Sequence, residues 1–275
     1  MIAATELHSA APTGTTPSRR SLATDQDQRH PSVGDRLVYA VGDIHGRLDL
    51  LEELICEICR DALKTSPELR PLVIPLGDYI DRGPQSAGVL ALLVELCRNN
   101  AFEVRPLRGN HEQALLAFLD DPRVGPSWAQ FGGGATLSSY GVPAPRADDS
   151  PQAWETASTQ LKQALPSEQL VLLRKTEFMI CVGDYAFVHA GLRPDARLDE
   201  QTPNDLMWIR TEFLNHRSHL EKRVVHGHSA QTGAQVLPWR IGIDTGAYAT
   251  GVLTALRLHN TEQTLMHASF GARRL

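Results

Sequence analysis

Leu76-Gly77-Asp78-Tyr79-Ile80-Asp81-Arg82-Gly83 continues the apolar run Leu72-Val73-Ile74-Pro75. A run of this length and composition reads as a buried strand, and the glycine ends it. The strand end therefore delivers two carboxylates and one guanidinium to the same place. That grouping suits cations on one side and an anion on the other. Three further stretches have the same build: Val41-Gly42-Asp43-Ile44-His45-Gly46, Arg108-Gly109-Asn110-His111-Glu112 and Val225-His226-Gly227-His228. Phe187-Val188-His189-Ala190-Gly191 adds a fifth.

The elements around these stretches follow from periodicity. Arg36 to Val41 reads as the first strand, and Leu48 to Leu63 as an amphipathic helix with apolar residues at three- and four-residue spacing. Pro71 to Leu76, the helix Gln85 to Asn99, the strand Phe102 to Leu107 and the helix Asn110 to Leu119 continue the alternation. Strand–helix alternation predicts an α/β layer with a largely parallel start. From Asp120 to Ser150, four prolines and Gly132-Gly133-Gly134 predict a long loop or cap with short helical turns. Helices are expected at Trp154 to Leu165, Pro166 to Lys175 and Asp205 to Leu214. A hairpin turning at Gly183-Asp184 joins Glu177–Val182 to Tyr185–His189. The end is strand-rich, at Arg223–Val225, Arg240–Asp244, Val252–Leu258 and Thr264–His267. The sum is a fold with two packed sheets and helices outside, rather than one doubly wound sheet.

At 275 residues the chain is long enough for one large domain with a sizeable core. Residues 1–33, rich in Ala, Ser, Thr, Pro and Gln, read as a disordered tail. The domain is expected over 34–275, with a cap or insert around 120–175. With 27 Lys+Arg against 32 Asp+Glu, the net charge of −5 argues against a nucleic-acid duplex partner. No apolar run approaches the about 18 residues of a membrane span, and a signal peptide is not evident, so a cytoplasmic location is expected. Cys56 and Cys59 form a lone CxxC inside the apolar pattern of the first helix. All four cysteines are expected as buried thiols in a reducing compartment.

The chemistry is carried by the glycine-flanked stretches. Asp43 and His45 lie two apart, so an extended chain puts both on one side, within reach of one ion. Asp78 has two oxygens and could bridge two ions. Asn110 offers a neutral oxygen, and His189 and His228 offer imidazoles. An oxygen and nitrogen set without thiolate fits Mn²⁺, Fe or Zn²⁺. Two ions roughly 3.5–4 Å apart would clamp a phosphate and lower a water's pKa from ~15.7 towards neutrality, making hydroxide the nucleophile. His111 could protonate a leaving alkoxide, with Asp81 holding its tautomer. Arg82 and Arg108 are candidates for gripping phosphate oxygens. Each piece alone has a plainer reading: Asn110 as a helix cap, His189 as a core histidine, the glycines as turns. Together, five of the 11 histidines fall in these short motifs where strands end.

GDIHG, GDYIDRG, LRGNHE, FVHAG and the HGHS segment resemble the signature set of the calcineurin-like metallophosphoesterases, more narrowly the phosphoprotein phosphatase family and its small bacterial branch. The similarity spans Arg36 to Leu258. It implies a β-sandwich flanked by helices, with a dinuclear metal site at the strand ends. It implies Asp43, His45 and Asp78 on the first metal, and Asp78, Asn110, His189 and His228 on the second. It implies His111 as the acid oriented by Asp81, with Arg82 and Arg108 on phosphate. Met207-Trp208-Ile209-Arg210 resembles a segment that supplies a further phosphate arginine, Arg210. His226 stands as an alternative ligand or a supporting group.

The expected activity is metal-dependent phosphoric ester hydrolysis, with two ions, Mn²⁺ first, and a serine/threonine phosphoprotein as substrate. The alternatives are a symmetrical dinucleoside tetraphosphate hydrolase, a phosphotyrosine-directed phosphatase, and a non-catalytic phosphoprotein-binding module. Partners are therefore a phosphoprotein or a phosphorylated small molecule, and no membrane.

Overall fold

The computed structural model describes residues 30–269. Leu37–Val41 (β1) is buried along its whole length, because it is covered on both faces. Leu48–Thr65 (α1) follows it, then Leu72–Pro75 (β2), Ser86–Arg98 (α2) and Glu103–Val104 (β3). These three strands are parallel, joined by helical crossovers as the alternation requires. Asn110–Asp120 (α3) leads into Gly125–Gln130 (α4) and Gly133–Ser139 (α5), and then Pro151–Ala164 (α6) and Ser167–Lys175 (α7).

Met179–Val182 (β4) and Tyr185–Val188 (β5) form the expected hairpin. Pro203–Trp208 (α8), Thr211–Leu214 (α9), Arg223–His226 (β6), Gln235–Val236 (β7) and Arg240–Gly242 (β8) follow. Ala247–Thr250 (α10), Val252–His259 (β9) and Glu262–Ser269 (β10) end the described chain. The first sheet runs β10-β9-β1-β2-β3 and the second β4-β5-β6-β8-β7.

Alternation along β1 divides the core. Leu37, Tyr39 and Val41 face α1 and α2, against Leu50, Leu54, Ile58, Val89 and Leu93. Val38 and Ala40 face the other way, into a layer with Leu72, Ile74, Phe187, Val225 and Ile241 between the sheets. A smaller cluster, with Leu206, Phe213, Val224 and Trp239, covers the second sheet's other face. The result is the expected sandwich with helices outside. The loops after β1, β2, β5, β6 and β8 all leave from carboxyl ends of strands, and these parallel strands point the same way within each sheet.

Several elements differ from the sequence reading. The stretch Asp205–Leu214 is two short helices, broken where Arg210 takes φ −132° and ψ −88°. The long strand Phe102–Leu107 is laddered only at Glu103–Val104, because beyond them Pro75 of β2 has no N–H to return, although Arg105 and Leu107 N–H still donate to Val73 O and Pro75 O; Leu107 makes an isolated bridge to Glu177. The region Asp120–Ser150 holds two short helices, α4 and α5, followed by irregular chain from 140 to 150. Of the tail expected over 1–33, residues 1–29 lie outside the described residues. Ser32 and Val33 are fixed: Ser32 N–H donates to Asp184 Oδ2 at 2.9 Å, and Val33 N–H donates to Asn260 O at 3.0 Å. The cysteines are not the buried thiols expected. Cys56, Cys97 and Cys181 are exposed, since Cys56 falls on the solvent side of the α1 stripe and Cys181 on the open side of β4. No described helix is long and apolar enough to cross a membrane.

Gly42 closes the seam between the sheets, where a Cβ would lie 2.5 Å from Ile243 O. Gly42→Ala is expected to push β1 from the β8 end and destabilise by about 1–3 kcal/mol. A melting temperature equal to that of the parent chain would show that the seam is loose.

Candidate active site

The turn after β2 is held by a buried carboxylate from another segment. Glu112, in the first turn of α3, accepts the N–H groups of Asp78 and Tyr79 at 2.8 Å and that of Gly109 at 2.9 Å. Asp78 therefore projects beside Asn110 and His111 rather than towards solvent. Five of the six non-glycine residues with positive φ among the described residues belong to the candidate site: His45 (46°), Asp78 (52°), Asp81 (71°), Arg82 (65°) and His228 (62°). Left-handed backbone costs such residues roughly 1–2 kcal/mol each, and it turns successive side chains into one cleft.

That cleft, about 310 Å³, is lined by Asp43, His45, Asp78, Asn110, His111 and His228, among others. His45 Nδ1–H donates to Ile80 O at 2.8 Å, and His189 Nδ1–H donates to Leu76 O at 2.9 Å. Each Nε2 is thereby left as a bare lone pair. Burial keeps the rings neutral, pushing His45 down to about 3 and His189 below its ordinary value. His189 Nε2 nevertheless lies 3.0 Å from Asn110 Oδ1 and 3.3 Å from Asp78 Oδ1. His45 Nε2 lies 3.5 Å from Asp78 Oδ2.

Lone pairs thus face lone pairs with no proton between them, an arrangement that a cation relieves. The ligand atoms of His45, Asp78 and His111 fall within 4.8 Å of one another, as do those of Asp78, His189 and His228. Asp78 is common to both groups. His228 Nε2 is buried with no hydrogen-bond partner among the described residues. Asp43 is drawn in by the His228 N–H, at 3.0 and 3.2 Å, and Gly227 leaves the room, since a Cβ there would meet Asp43 Oδ1 at 2.0 Å. The donor set fits divalent metals.

His111 differs from the other imidazoles. Its Nδ1–H donates to Asp81 Oδ2 at 2.6 Å, and its Nε2 stands 3.8 Å from Asp78 Oδ2. Burial pulls its pKa down, but Asp78 and the hydrogen-bonded Asp81 outweigh burial and raise it to about 8. Asp81 also accepts from Trp128 Nε1 at 2.8 Å and Thr136 Oγ1 at 2.6 Å. The glycine-rich segment around Gly132, whose role is not legible from composition, thus carries the groups that hold Asp81.

Arg82 and Arg210 line the cleft; Arg82 lies 4.6 Å over the Tyr248 ring, and Arg210 donates to Ser229 Oγ at 3.5 Å. Arg108 is not brought there. Its guanidinium donates to Thr176 Oγ1 at 2.9 Å and to the carbonyls of Leu173 and Arg174 at 3.0 Å. These are orphan carbonyls at the end of α7, so Arg108 caps a helix instead of facing a phosphate. His226 points away from the cleft, with Nε2 accepting from Arg240 Nη1 at 3.2 Å and its ring against Phe213. It is not placed as a ligand.

Sequence reasoning passed over Glu112, Trp128, Thr136 and Asp244. Asp244 lines the cleft beyond β8, and burial raises its carboxyl to about 6. Its signal was available, because Ile243-Asp244-Thr245-Gly246 repeats the strand-end pattern of the other motifs.

The calcineurin-like phosphoesterase family model matches residues 37–244. The chain belongs to this family. A serine/threonine-protein phosphatase 1 of Salmonella typhimurium is 30% identical over 239 residues, covering 84% of this chain and 96% of that protein. An asymmetrical bis(5'-nucleosyl)-tetraphosphatase of Anoxybacillus flavithermus is 25% identical, covering 81% and 90%. The crystal structure of a cold-active protein tyrosine phosphatase superposes with a TM-score of 0.52 at 18% identity, covering 84% of this chain and 79% of the other, which is a likeness of fold. Calcineurin-like phosphoesterases use a dinuclear metal site, and this chain is an enzyme that hydrolyses phosphoesters.

Glu112→Gln places an NH₂ against one or more of three main-chain N–H donors. A loss of about 1–3 kcal/mol is expected per buried group left unpaired, together with lower metal content. An unchanged melting curve and full metal occupancy would refute the role assigned to Glu112.

Proposed function

We propose that the chain is a metal-dependent protein phosphatase acting on phosphoserine and phosphothreonine. The carrying observation is His111, held by Asp81 at 2.6 Å, with its Nε2 turned into the cleft, 3.4 Å from Arg82 Nη2 and 3.8 Å from Asp78 Oδ2. An alkoxide is a poor leaving group and needs a proton as it departs, whereas a phenolate or a nucleotide phosphate needs one much less. A dedicated, buried and oriented acid is therefore best matched to a serine or threonine ester. The Salmonella relative, covered over 96% of its length, bears a serine/threonine phosphatase name.

In this reading Asp43, His45 and Asp78 hold one divalent ion, and Asp78, Asn110, His189 and His228 a second, Mn²⁺ being the first candidate with Fe and Zn²⁺ as substitutes. When bound, such ions supply Lewis acidity and lower the pKa of a water towards neutrality. Arg82 and Arg210 bind and orient the phosphoryl oxygens through their guanidinium forks. His111 Nε2 carries the proton to the leaving oxygen, and Asp81 keeps that proton on the cleft side by fixing Nδ1–H. Trp128 and Thr136 hold Asp81 in turn.

A second reading is favoured by the rim. Phe131, Trp208 and Tyr248 are 50%, 42% and 42% exposed. Tyr248 stands edge-on to His45 at 5.4 Å and Trp208 to His228 at 6.2 Å, so rings flank both ends of the ligand row. Exposed rings accept planar groups, and a dinucleoside tetraphosphate carries one at each end of its phosphate chain.

Turnover of a phosphoserine peptide, a phosphotyrosine peptide and diadenosine tetraphosphate on one Mn²⁺-loaded preparation ranks these readings. The phosphoserine peptide is expected to have the highest kcat/KM, and turnover of the dinucleotide alone would refute the protein-phosphatase reading. His111→Asn is expected to keep its metals and lose about 10²–10⁴ in kcat on phosphoserine. The loss should be much smaller on p-nitrophenyl phosphate, whose leaving group needs no proton. Equal losses on both substrates would remove His111 as the acid.

A further inference from the structure

Several half-buried arginines of this chain meet a carboxylate: Arg47 meets Asp49 at 2.6 Å, Arg105 meets Glu177 at 2.6 Å, and Arg257 meets Asp61 at 3.1 Å, whereas Arg108 and Arg223 spend donors on main-chain carbonyls. Arg82 and Arg210, which face the catalytic cleft, have no such partner among the described residues, consistent with sites kept open for an anion. The same condition recurs on the side of the second sheet that carries Phe213 and Trp239. There Arg217, Ser218, His219, Gln235, Trp239 and Arg240 line a cavity of about 760 Å³, and none of its lining residues is acidic.

Arg240 is the decisive group. It is 5% exposed, yet its partners are all uncharged. Nη1 donates to His226 Nε2 at 3.2 Å, Nη2 donates to Gln235 Oε1 at 2.7 Å, and Nε has no acceptor. The guanidinium lies 5.0 Å over the Trp239 ring. His226 cannot serve as a counter-charge, because its Nδ1–H donates to Gly227 O at 3.0 Å and its Nε2 is the acceptor for Arg240. Burial and then repulsion from Arg217 hold Arg240 below its ordinary pKa. Arg217 spends only Nη1 on the protein, on the carbonyls of Leu214 and His216. Two guanidinium groups therefore share one cavity with donors to spare, and a buried charge left without a counter-charge is unfavourable.

We propose that this cavity is a second anion site, separate from the catalytic cleft, that binds a tetrahedral phosphate between Arg217 and Arg240. The planar forks match two phosphate edges, and Ser218 and His219 supply further polar groups at the cavity wall. The catalytic reading is not needed for this site, but the two are linked along the chain. Arg210 of the cleft and Arg217 of the cavity flank α9, and His226, bonded to Arg240, lies two residues before His228.

Equilibrium dialysis of the metal-loaded protein against labelled inorganic phosphate tests the proposal. The parent chain is expected to bind one more phosphate than Arg240→Gln or Arg217→Gln, or to bind it at least tenfold more tightly, while aryl phosphate turnover stays within about twofold. Arg217 is exposed and makes no core contact, so Arg217→Gln remains informative if Arg240→Gln folds poorly. Equal stoichiometry and affinity in the parent and in Arg217→Gln would overturn the proposal. So would a phosphate lost from the variants only together with turnover, since that phosphate would belong to the catalytic cleft.

Discussion

The Glu112 carboxylate is the constraint on which the cleft depends. It gathers three N–H groups from two segments that are far apart in sequence, Asp78-Tyr79 after β2 and Gly109 before α3. Neither segment would hold its conformation alone. Asp78 is left-handed, and α3 begins with a glycine that has no side chain to cap it. With Glu112 in place, Asp78 Oδ1 accepts the His111 N–H at 3.2 Å, and Asp78 presents its oxygens to His189 on one side and His45 on the other. His111 and the central carboxylate are thus set by the same bonds.

The geometry of the cleft stores unfavourable energy in two forms. Strained backbone is concentrated at His45, Asp78, Asp81, Arg82 and His228, and unprotonated nitrogen and oxygen atoms face one another across Asp78. Neither would persist in a loose loop. Both persist because the strands beneath are buried on two faces and the adjoining main chain is bonded: Ile44 and His45 N–H donate to Asp78 O at 3.0 and 2.8 Å. Binding of cations would release the second form of strain without movement of the scaffold, which is what preorganisation for charge means physically.

The strand ends were legible because each repeats one local rule, an apolar run stopped by glycine beside a side chain that ligates. That rule locates Asp43, Asp78, His189 and His228, and applied once more it would have located Asp244. Arg108 was misread for the opposite reason. Adjacency to Asn110 suggests a shared cleft, but the turn from strand to helix sends consecutive side chains to different places, and the end of α7 takes the guanidinium. Glu112 was invisible because its partners are main-chain groups fixed only by tertiary contact. The break at Arg210 was masked by apolar spacing that continues through it. Cys56 followed the helical pattern in sequence while lying on the exposed side of α1.

The glycine-rich insert shows how recognition and chemistry are joined in this chain. Trp128 and Thr136 hold Asp81 from α4 and α5, and Gly132 O accepts the Arg82 N–H at 3.3 Å between them. Phe131, on the same short connection, forms part of the cleft wall. A change that reshapes this connection to admit a different substrate therefore also shifts the support of Asp81 and, through it, His111. Trp208, carried by α8, stands against His228, while Tyr248, carried by α10, lies under the Arg82 guanidinium, whose Nη2 is 3.4 Å from His111 Nε2. A change at Trp208 therefore leaves the Asp81–His111 pair untouched, whereas a change at Phe131 or Tyr248 reaches that pair through Gly132 or Arg82.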